Sequence, residues 1–237
     1  MEGLRQRRGV GGERPSGRHP DDEQDILSPM KVAEGIHKVE GVRVANVWLV
    51  ESDDGLLLVD SGTMLGTAKR VLGSIVDLGH QPGDLRHIVL THCHPDHVGG
   101  AAELKRLTGA RVAIHELDAP VVAGTERPPK GGLAMRALYR LFARPVAPDL
   151  LLRDGETVGG TLRVVHVPGH TAGSIVLVRA DGVVFSGDAL LSDKQGRLLP
   201  PDPRLALDRA QAETSAESIR ALRPRLLLTG HGAPAAP

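Results

Sequence analysis

Apolar residues follow two different spacings along most of the chain. Short, nearly continuous apolar runs predict strands, and the first two, at 42–50 and 56–59, flank the turn residues Asp53-Asp54-Gly55. Apolar residues three and four positions apart predict a helix over 64–78, which Gly79 ends. Because strands and helices alternate, the pattern predicts an α/β fold.

The alternation continues towards the C-terminus. Further strands are predicted at 86–91, 111–114, 161–167, 174–179, 183–185 and 225–228. Further helices are predicted at 101–107, near 116–122 and at 203–222. Residues 230–237 are Gly, Ala and Pro apart from His231, so we expect them to bury little core surface.

Two segments depart from this pattern. Residues 1–29 are predicted to form a disordered tail, because the first 25 mix Arg, Glu, Asp, Gly and Pro with almost no apolar content. Residues 124–148 contain Pro128-Pro129 and Gly131-Gly132 before a helical stretch at 133–144. We therefore expect a single domain over 30–237 that carries a helical insert at about 124–148.

Composition narrows the class of function. The 29 Lys and Arg residues balance 29 Asp and Glu residues, and only 2% of residues are aromatic, so neither a basic face nor stacking platforms for nucleic acid are expected. The single cysteine excludes an internal disulfide, and no apolar run of about 18 residues could cross a membrane. We expect a cytoplasmic protein that binds neither nucleic acid nor a membrane.

The strongest chemical signal follows the strand predicted at 86–91, in the run Thr91-His92-Cys93-His94-Pro95-Asp96-His97. Residues two apart on an extended segment point the same way, so His92 and His94 can bind one ion. The proline then ends the strand and lets Asp96 and His97 turn towards a neighbouring position. Cys93 points the opposite way and is predicted to be neither ligand nor nucleophile. The sequence therefore predicts a metal site with room for two ions.

Later motifs complete a known set. The cluster resembles the signature of the metallo-β-lactamase-fold superfamily, in which His-x-His-x-Asp-His is followed by a His, an Asp and a final His. The corresponding stretches here are Pro168-Gly169-His170-Thr171, Ser186-Gly187-Asp188 and Thr229-Gly230-His231, with Val59-Asp60-Ser61-Gly62 upstream. The resemblance implies a four-layer αβ/βα sandwich of two mixed β-sheets with helices on the outer faces and the metal-binding loops at one edge.

The same resemblance implies a ligand set. One ion would be held by His92, His94 and His170, the second by Asp96, His97 and His231, with Asp188 as the bridge. Asp60 would accept a hydrogen bond from outside the ligands and orient the metal-binding loop. Two Zn²⁺ ions are expected, although iron or manganese accepts the same ligands. Asp96 and Asp188 are the candidate catalytic carboxylates.

Hydrolysis is the implied reaction, because two metal ions can activate a hydroxide that attacks a carbonyl carbon. Asp188 favours the thioesterase, lactonase and phosphodiesterase-like branches over those that hydrolyse β-lactams. The motifs most resemble the glutathione-thioester hydrolases of the glyoxalase II type, which carry a helical domain after the final His, whereas six residues follow His231 here. We therefore expect a small-molecule acyl substrate, namely a small ester, thioester or lactone.

Three alternatives remain open: a mononuclear iron sulfur-dioxygenase, a phosphodiesterase or nuclease of the same fold, and a non-catalytic metal-binding scaffold. The insert offers candidate substrate residues, since Arg136 and Arg140 are four apart on one helix face and Tyr139 lies between them. This face is interpreted either as a solvated surface or as the basic side of a lid that meets an anionic substrate. His115, at a strand end, is interpreted as structural.

Overall fold

The computed structural model describes residues 28–128, 130 and 132–237. The predicted disordered tail therefore lies, over residues 1–27, outside the described residues. Within the part of the chain that is described, no helix is both long enough and apolar enough to span a membrane.

The larger of the two main sheets has seven strands that follow one another in chain order. The first four strands pair antiparallel and the last four pair parallel, so the sheet is mixed. The strands are β1 (Met30–Ala33), β2 (Ile36–Lys38), β3 (Trp48–Ser52), β4 (Gly55–Val59), β5 (Leu85–Val89), β6 (Arg111–His115) and β7 (Leu150–Leu152).

Helices connect the parallel strands, as parallel pairing requires. The first connection contains α1 (Thr67–Asp77), and the second contains α2 (Pro95–Val98) and α3 (Ala101–Thr108). The third contains α4 (Ala119–Val122) and α5 (Gly132–Phe142), and α5 is the helix of the predicted insert.

The second main sheet has five strands in the order β14-β11-β10-β9-β8. Strands β11 and β14 pair parallel through the crossover helix α6 (Arg209–Ala221), and the other neighbours pair antiparallel. The strands are β8 (Thr157–Val158), β9 (Leu162–His166), β10 (Ile175–Arg179), β11 (Val183–Gly187) and β14 (Leu226–Thr229), and β12 (Leu191–Ser192) pairs with β13 (Leu198–Leu199) separately.

The two sheets pack face to face over an apolar core. Successive strand residues point to opposite faces, so Leu57 lies between the sheets while Leu58 packs beneath α1 and α3. Trp48 and Phe185 meet between the sheets with ring centroids 6.5 Å apart. On the far side, Ile219 of α6 packs on the outer face of the second sheet. The predicted four-layer αβ/βα sandwich of two mixed sheets is confirmed.

A partly exposed ion cluster closes the turn between β10 and β11. The Asp181 carboxylate accepts hydrogen bonds from Arg179 Nε at 2.9 Å and from Arg225 Nη2 at 2.7 Å. These arginines, Arg179 first, hold the pKa of Asp181 well below its ordinary value. The cluster therefore ties β14 to the β10–β11 turn through its flanking residue Arg225.

Several element boundaries differ from the prediction. The strand predicted at 42–50 begins only at Trp48, because the preceding residues bond to the C-terminal loop: Asn46 donates to the carbonyls of Thr229, Gly230 and Gly232. The helix predicted at 203–222 begins at Arg209, after the N-cap Asp208.

The prediction that residues 230–237 add little to the core is wrong. Ala235 is buried and exchanges two backbone hydrogen bonds with Leu227, at 2.7 and 2.9 Å. Ala233 also donates its N–H to the Asp193 carbonyl. The final segment is thus an integral part of the second sheet's outer layer.

Candidate metal centre

Seven side chains from four loops converge at one edge of the sandwich. Four of them follow β5, where residues 90–94 lead into α2, whose first residue is Pro95. The other three lie after β9, β11 and β14, each beyond the carboxyl end of its strand. The seven residues are His92, His94, Asp96, His97, His170, Asp188 and His231. The structure brings together every residue predicted as a ligand.

The first cluster contains three imidazoles. His170 Nε2 lies 2.9 Å from His94 Nδ1 and 3.2 Å from His92 Nε2. His92 and His170 are buried, whereas His94 is partly exposed. Three ring nitrogens therefore face a common point.

The second cluster contains two imidazoles and a carboxylate. His97 Nε2 lies 3.4 Å from His231 Nε2 and 3.7 Å from Asp96 Oδ2. His231 Nε2 in turn lies 3.3 Å from Asp96 Oδ2. Since His97 is buried and the other two are partly exposed, this cluster opens towards solvent.

Asp188 lies between the two clusters. Its Oδ2 is 3.6 Å from His170 Nε2 in the first cluster and 3.4 Å from His231 Nε2 in the second. Its Oδ1 is 3.4 Å from His97 Nε2. One buried carboxylate therefore reaches both clusters, as expected for a bridging residue.

Hydrogen bonds from outside the clusters set the ring orientations. His97 Nδ1 donates to Asp60 Oδ2 at 2.8 Å, and His231 Nδ1 donates to the Val44 carbonyl at 2.8 Å. Asp60 also accepts from the Thr91 amide at 2.8 Å, and is buried. Fixing Nδ1 in this way leaves each Nε2 directed at the cluster. Asp60 is placed where the sequence predicted an outer acceptor.

Asp118 is a buried anchor that the sequence analysis missed. Its carboxylate accepts from the amide of Cys93 at 2.9 Å, from the amide of Gly173 at 2.8 Å and from Thr171 Oγ1 at 2.6 Å. These bonds join the loop that carries His92 and His94 to the loop that carries His170. A Cβ at Gly173 would lie only 2.8 Å from the Asp118 carboxyl carbon, so this glycine was the one sequence signal of the close approach.

Gly230 marks a second close approach. A Cβ at this position would collide with Asp188 Oδ1 and lie 2.7 Å from His97 Cε1. Only a residue without a side chain lets the end of β14 pass this close to the bridging carboxylate.

Protonation in the centre follows burial and the neighbouring carboxylates. Burial lowers the pKa of His92 and His94, and it lowers the pKa of His170 to about 4, so these rings favour the neutral form. Burial also opposes charge on His97 and His231, but nearby carboxylates outweigh it. They raise the pKa of His97 well above its ordinary value, and they raise the pKa of His231 to about 10. A neutral imidazole is the form that binds metal, so a cation would displace protons from the second cluster.

The donor atoms fit metal ions. Asp188 Oδ1 is buried without a hydrogen-bond partner. The imidazole nitrogens of the first cluster are 2.9 and 3.2 Å apart. Nitrogens at about 2.0–2.1 Å from a tetrahedral zinc ion are roughly 3.3 Å apart, which is close to these values. Neutral nitrogens packed this closely, beside an ionised carboxylate, are suited to cations.

Cys93 and His115 lie outside both clusters. Cys93 is buried in the core beneath the larger sheet's helices, and burial raises the pKa of its thiol well above the ordinary value. His115 stacks on His166 with ring centroids 4.1 Å apart. Neither residue belongs to the groups of converging ligand atoms.

The insert residues Arg136, Tyr139 and Arg140 lie elsewhere. They line a separate cavity of about 210 Å³ between α5 and the segment after α4. Tyr139 donates its hydroxyl to the Cys93 carbonyl, so it supports the loop that carries His92 and His94 from behind. The arginine face of α5 therefore lines a cavity distinct from the one that His94, Asp96, Asp188 and His231 line.

Comparison with known proteins agrees with this architecture. A model of the metallo-β-lactamase superfamily matches residues 41–231. The probable metallo-hydrolase YflN of Bacillus subtilis strain 168 is 31% identical, over 86% of this chain and 86% of its own. A hydroxyacylglutathione hydrolase of Pseudomonas savastanoi pv. phaseolicola is 36% identical over 71% of this chain, which spans 56% of that relative's length.

Solved structures share the fold and the arrangement of sheets. BJP-1, a subclass B3 metallo-β-lactamase of Bradyrhizobium japonicum, has a TM-score of 0.68 at 26% identity, over 86% of this chain and 78% of its own. TTHA1623, solved in a di-iron-bound form, has a TM-score of 0.66 at 28% identity. The match covers 89% of this chain and 94% of TTHA1623. Fold, converging side chains and sequence similarity agree, and the chain belongs to the metallo-β-lactamase superfamily, as a metal-dependent hydrolase.

Proposed function

We propose that this protein hydrolyses a small ester, thioester or lactone with two divalent metal ions bound at its centre. The observation that carries the proposal is the pair of clusters joined by the buried Asp188, which lies within 3.6 Å of imidazoles from both. In this assignment His92, His94 and His170 would hold one ion, Asp96, His97 and His231 would hold the other, and Asp188 would serve both sites.

The bound ions would lower the pKa of water and polarise a carbonyl oxygen, which together supply the nucleophile and the electrophile for hydrolysis. The chain presents ligand atoms in a suitable state, because burial favours the neutral form of His92 and His170. Asp60 and the Val44 carbonyl hold the Nδ1 protons of His97 and His231 away from the centre.

Asp96 and Asp188 are the proposed catalytic carboxylates. Although burial opposes their charge, the neighbouring histidines, His97 first, lower the pKa of both, so both are ionised at neutral pH. Both also line the cavity that opens beside the clusters, where a substrate would contact them.

We propose zinc as the metal, because a set of imidazoles and carboxylates suits it. Iron and manganese accept the same donors, and the di-iron-bound form of TTHA1623 makes iron the first alternative. The proposed partner is a small acyl compound, since formal net charge is zero and a nucleic-acid backbone would require a basic surface.

The first experiment combines metal analysis with a substrate panel. Protein reconstituted with zinc is assayed on esters, on thioesters, including a glutathione thioester, and on lactones, phosphodiesters and β-lactams. Two zinc ions per chain, together with cleavage of the esters, thioesters or lactones, would support the proposal. One iron per chain with oxygen consumption would replace it by sulfur-dioxygenase chemistry, and cleavage of phosphodiesters alone would replace it by a phosphodiesterase.

A variant tests the division into two sites. His231→Ala should lower the metal content from two ions towards one and reduce turnover by at least about 100-fold, because the second cluster loses a ligand while the first stays complete. His80→Ala is the matched control, since His80 is half-exposed and outside the clusters. Two retained ions and full turnover in His231→Ala would contradict the assignment.

A further inference from the structure

A cavity of about 350 Å³ opens directly beside the two clusters. His94, Asp96, Asp188 and His231 form the side that faces the clusters. A volume of this size lies at the lower end of the range for small-molecule sites. The walls of this cavity are therefore within reach of a substrate bound at the clusters.

The walls are apolar and come from three separate segments. Met135, Leu138 and Phe142 are three and four residues apart and form one face of α5. Val44 and Leu205 close the other sides. Thr63 supplies a hydroxyl, and among the described residues no Lys or Arg lines this cavity.

The wall segments are tied together rather than loosely opposed. Lys130 donates to the Ala206 carbonyl, so the insert is joined to the loop that carries Leu205. The Met64 amide donates to the Phe142 carbonyl at 2.7 Å, which attaches the C-terminal end of α5 to the loop beside Thr63. The apolar cavity is thus built into the fold.

Charge is separated across α5. Arg136 and Arg140 line the other cavity, on the opposite side of the helix from Leu138. Away from the clusters, an anionic substrate group would therefore find no Lys or Arg partner among the described residues that line this cavity. Meanwhile Leu138 is 40% exposed, Leu205 45% and Val44 66%, so apolar surface is available for burial by a ligand.

We propose that this cavity binds an apolar acyl chain, so that the substrates are esters, thioesters or lactones of medium-length aliphatic acids rather than compounds with a charged acyl group. This inference rests on the proposed function. The reaction adds one water: a new C–O bond forms at the acyl carbon, the bond from that carbon to oxygen or sulfur breaks, and the released alcohol or thiol takes up a proton. No oxidant or reductant is needed.

The test is a chain-length series on the zinc-loaded protein. Thioesters with one thiol and acyl groups from acetyl to octanoyl are compared by kcat/KM. Each methylene buried against the walls should raise kcat/KM by about threefold to fourfold until the cavity is filled. Equal values for acetyl and octanoyl substrates would overturn the inference.

Two variants on the same helix form a matched pair. Leu138→Gln places an amide in the wall and should lower kcat/KM for the octanoyl substrate by about tenfold more than kcat/KM for the acetyl substrate. Leu141→Gln is the control, because Leu141 is 60% exposed and does not line this cavity. Both side chains are exposed enough that neither change should unfold the protein. An equal response of the two variants would overturn the inference.

Binding of free carboxylates separates this inference from the proposed function. If the panel contains no cleaved ester, thioester or lactone, the proposed function fails. Calorimetry of acetate and octanoate binding then decides the inference alone. Tighter binding of octanoate that is lost in Leu138→Gln, but not in Leu141→Gln, supports an apolar subsite, whereas equal affinities for acetate and octanoate overturn it.

Discussion

Removal of the Asp118 carboxylate tests how the two halves of the centre are held together. Asp118 is buried and accepts hydrogen bonds from the amides of Cys93 and Gly173 and from the Thr171 hydroxyl. In Asp118→Ala both amides are left buried without an acceptor, whereas the Thr171 hydroxyl keeps Ser174 Oγ, at 2.8 Å. Of the three groups that donate to Asp118, only the two amides therefore lose their acceptor.

The expected destabilisation follows from those two groups. A buried donor left without an acceptor costs about 1–3 kcal/mol, so the two amides of Asp118→Ala should lower the free energy of unfolding by about 2–6 kcal/mol. For a chain of 150–250 residues this corresponds to a fall in Tm of roughly 4–24 °C. Asp118→Asn keeps one accepting oxygen but turns an amide N–H₂ towards a donor, so it should recover only part of the loss.

The assay is urea unfolding of the metal-free protein, followed by release of metal to a chelator at a temperature where both proteins are folded. Because Asp118 joins the loop of His92 and His94 to that of His170, we expect zinc release to be up to about tenfold faster in the variant. Asp154→Ala is the matched control: Asp154 is exposed and accepts one backbone N–H, from His166. That change should cost about 1 kcal/mol or less.

The reasoning would be refuted by an Asp118→Ala protein that loses less than about 1 kcal/mol of unfolding free energy. It would equally be refuted if Asp118→Ala and Asp154→Ala released zinc at the wild-type rate. In that case the strands that flank the two ligand loops would hold them in place, and the Asp118 carboxylate would not contribute to metal retention.

Three further changes have definite expected outcomes. Gly230→Ala should abolish zinc binding and activity without loss of the circular dichroism signal, because the added Cβ collides with Asp188. Gly83→Ala is the control and should be neutral, because Gly83 has open space around it. Cys93→Ala should keep two zinc ions and most activity, and loss of zinc would contradict the core placement of this side chain. Asp181→Asn should lower the free energy of unfolding by about 1 kcal/mol at pH 7, allowing for solvent screening. The pKa of Asp181 is lower in the folded than in the unfolded protein. The difference in unfolding free energy between the wild type and Asp181→Asn is therefore present above about pH 4 and should shrink as the pH falls below that value. A difference that does not change with pH would contradict the ion cluster.

Local pattern was sufficient for many of the longer elements and for the four ligand candidates after β5. Apolar runs and helical spacing depend on neighbouring residues only, so β5 and α3 were predicted within two residues at each end. His92, His94, Asp96 and His97 also lie within six consecutive residues, so their convergence follows from the local turn. The later motifs were identified by resemblance rather than by spacing.

Tertiary structure decided which partners face each other. Asp118 is 25 residues from Cys93 and 55 from Gly173, and nothing in the local pattern near Asp118 indicates those partners. Ala235 is buried because β14 pairs with it, although a Gly, Ala and Pro segment has no strand signal of its own. Contacts of this range form only once the sheets are assembled.

The insert illustrates the limit most clearly. Periodicity in α5 assigns Met135, Leu138 and Phe142 to one face and Arg136 and Arg140 to another, but it does not determine which face meets the metal centre. The docking of α5 settles this: the Met64 amide bonds to the Phe142 carbonyl, and the Tyr139 hydroxyl bonds to the Cys93 carbonyl. The sequence by itself determined a helix with two chemically different faces. Only the packed chain placed the apolar face beside the ligands, because that choice depends on hydrogen bonds to residues at least 46 positions away.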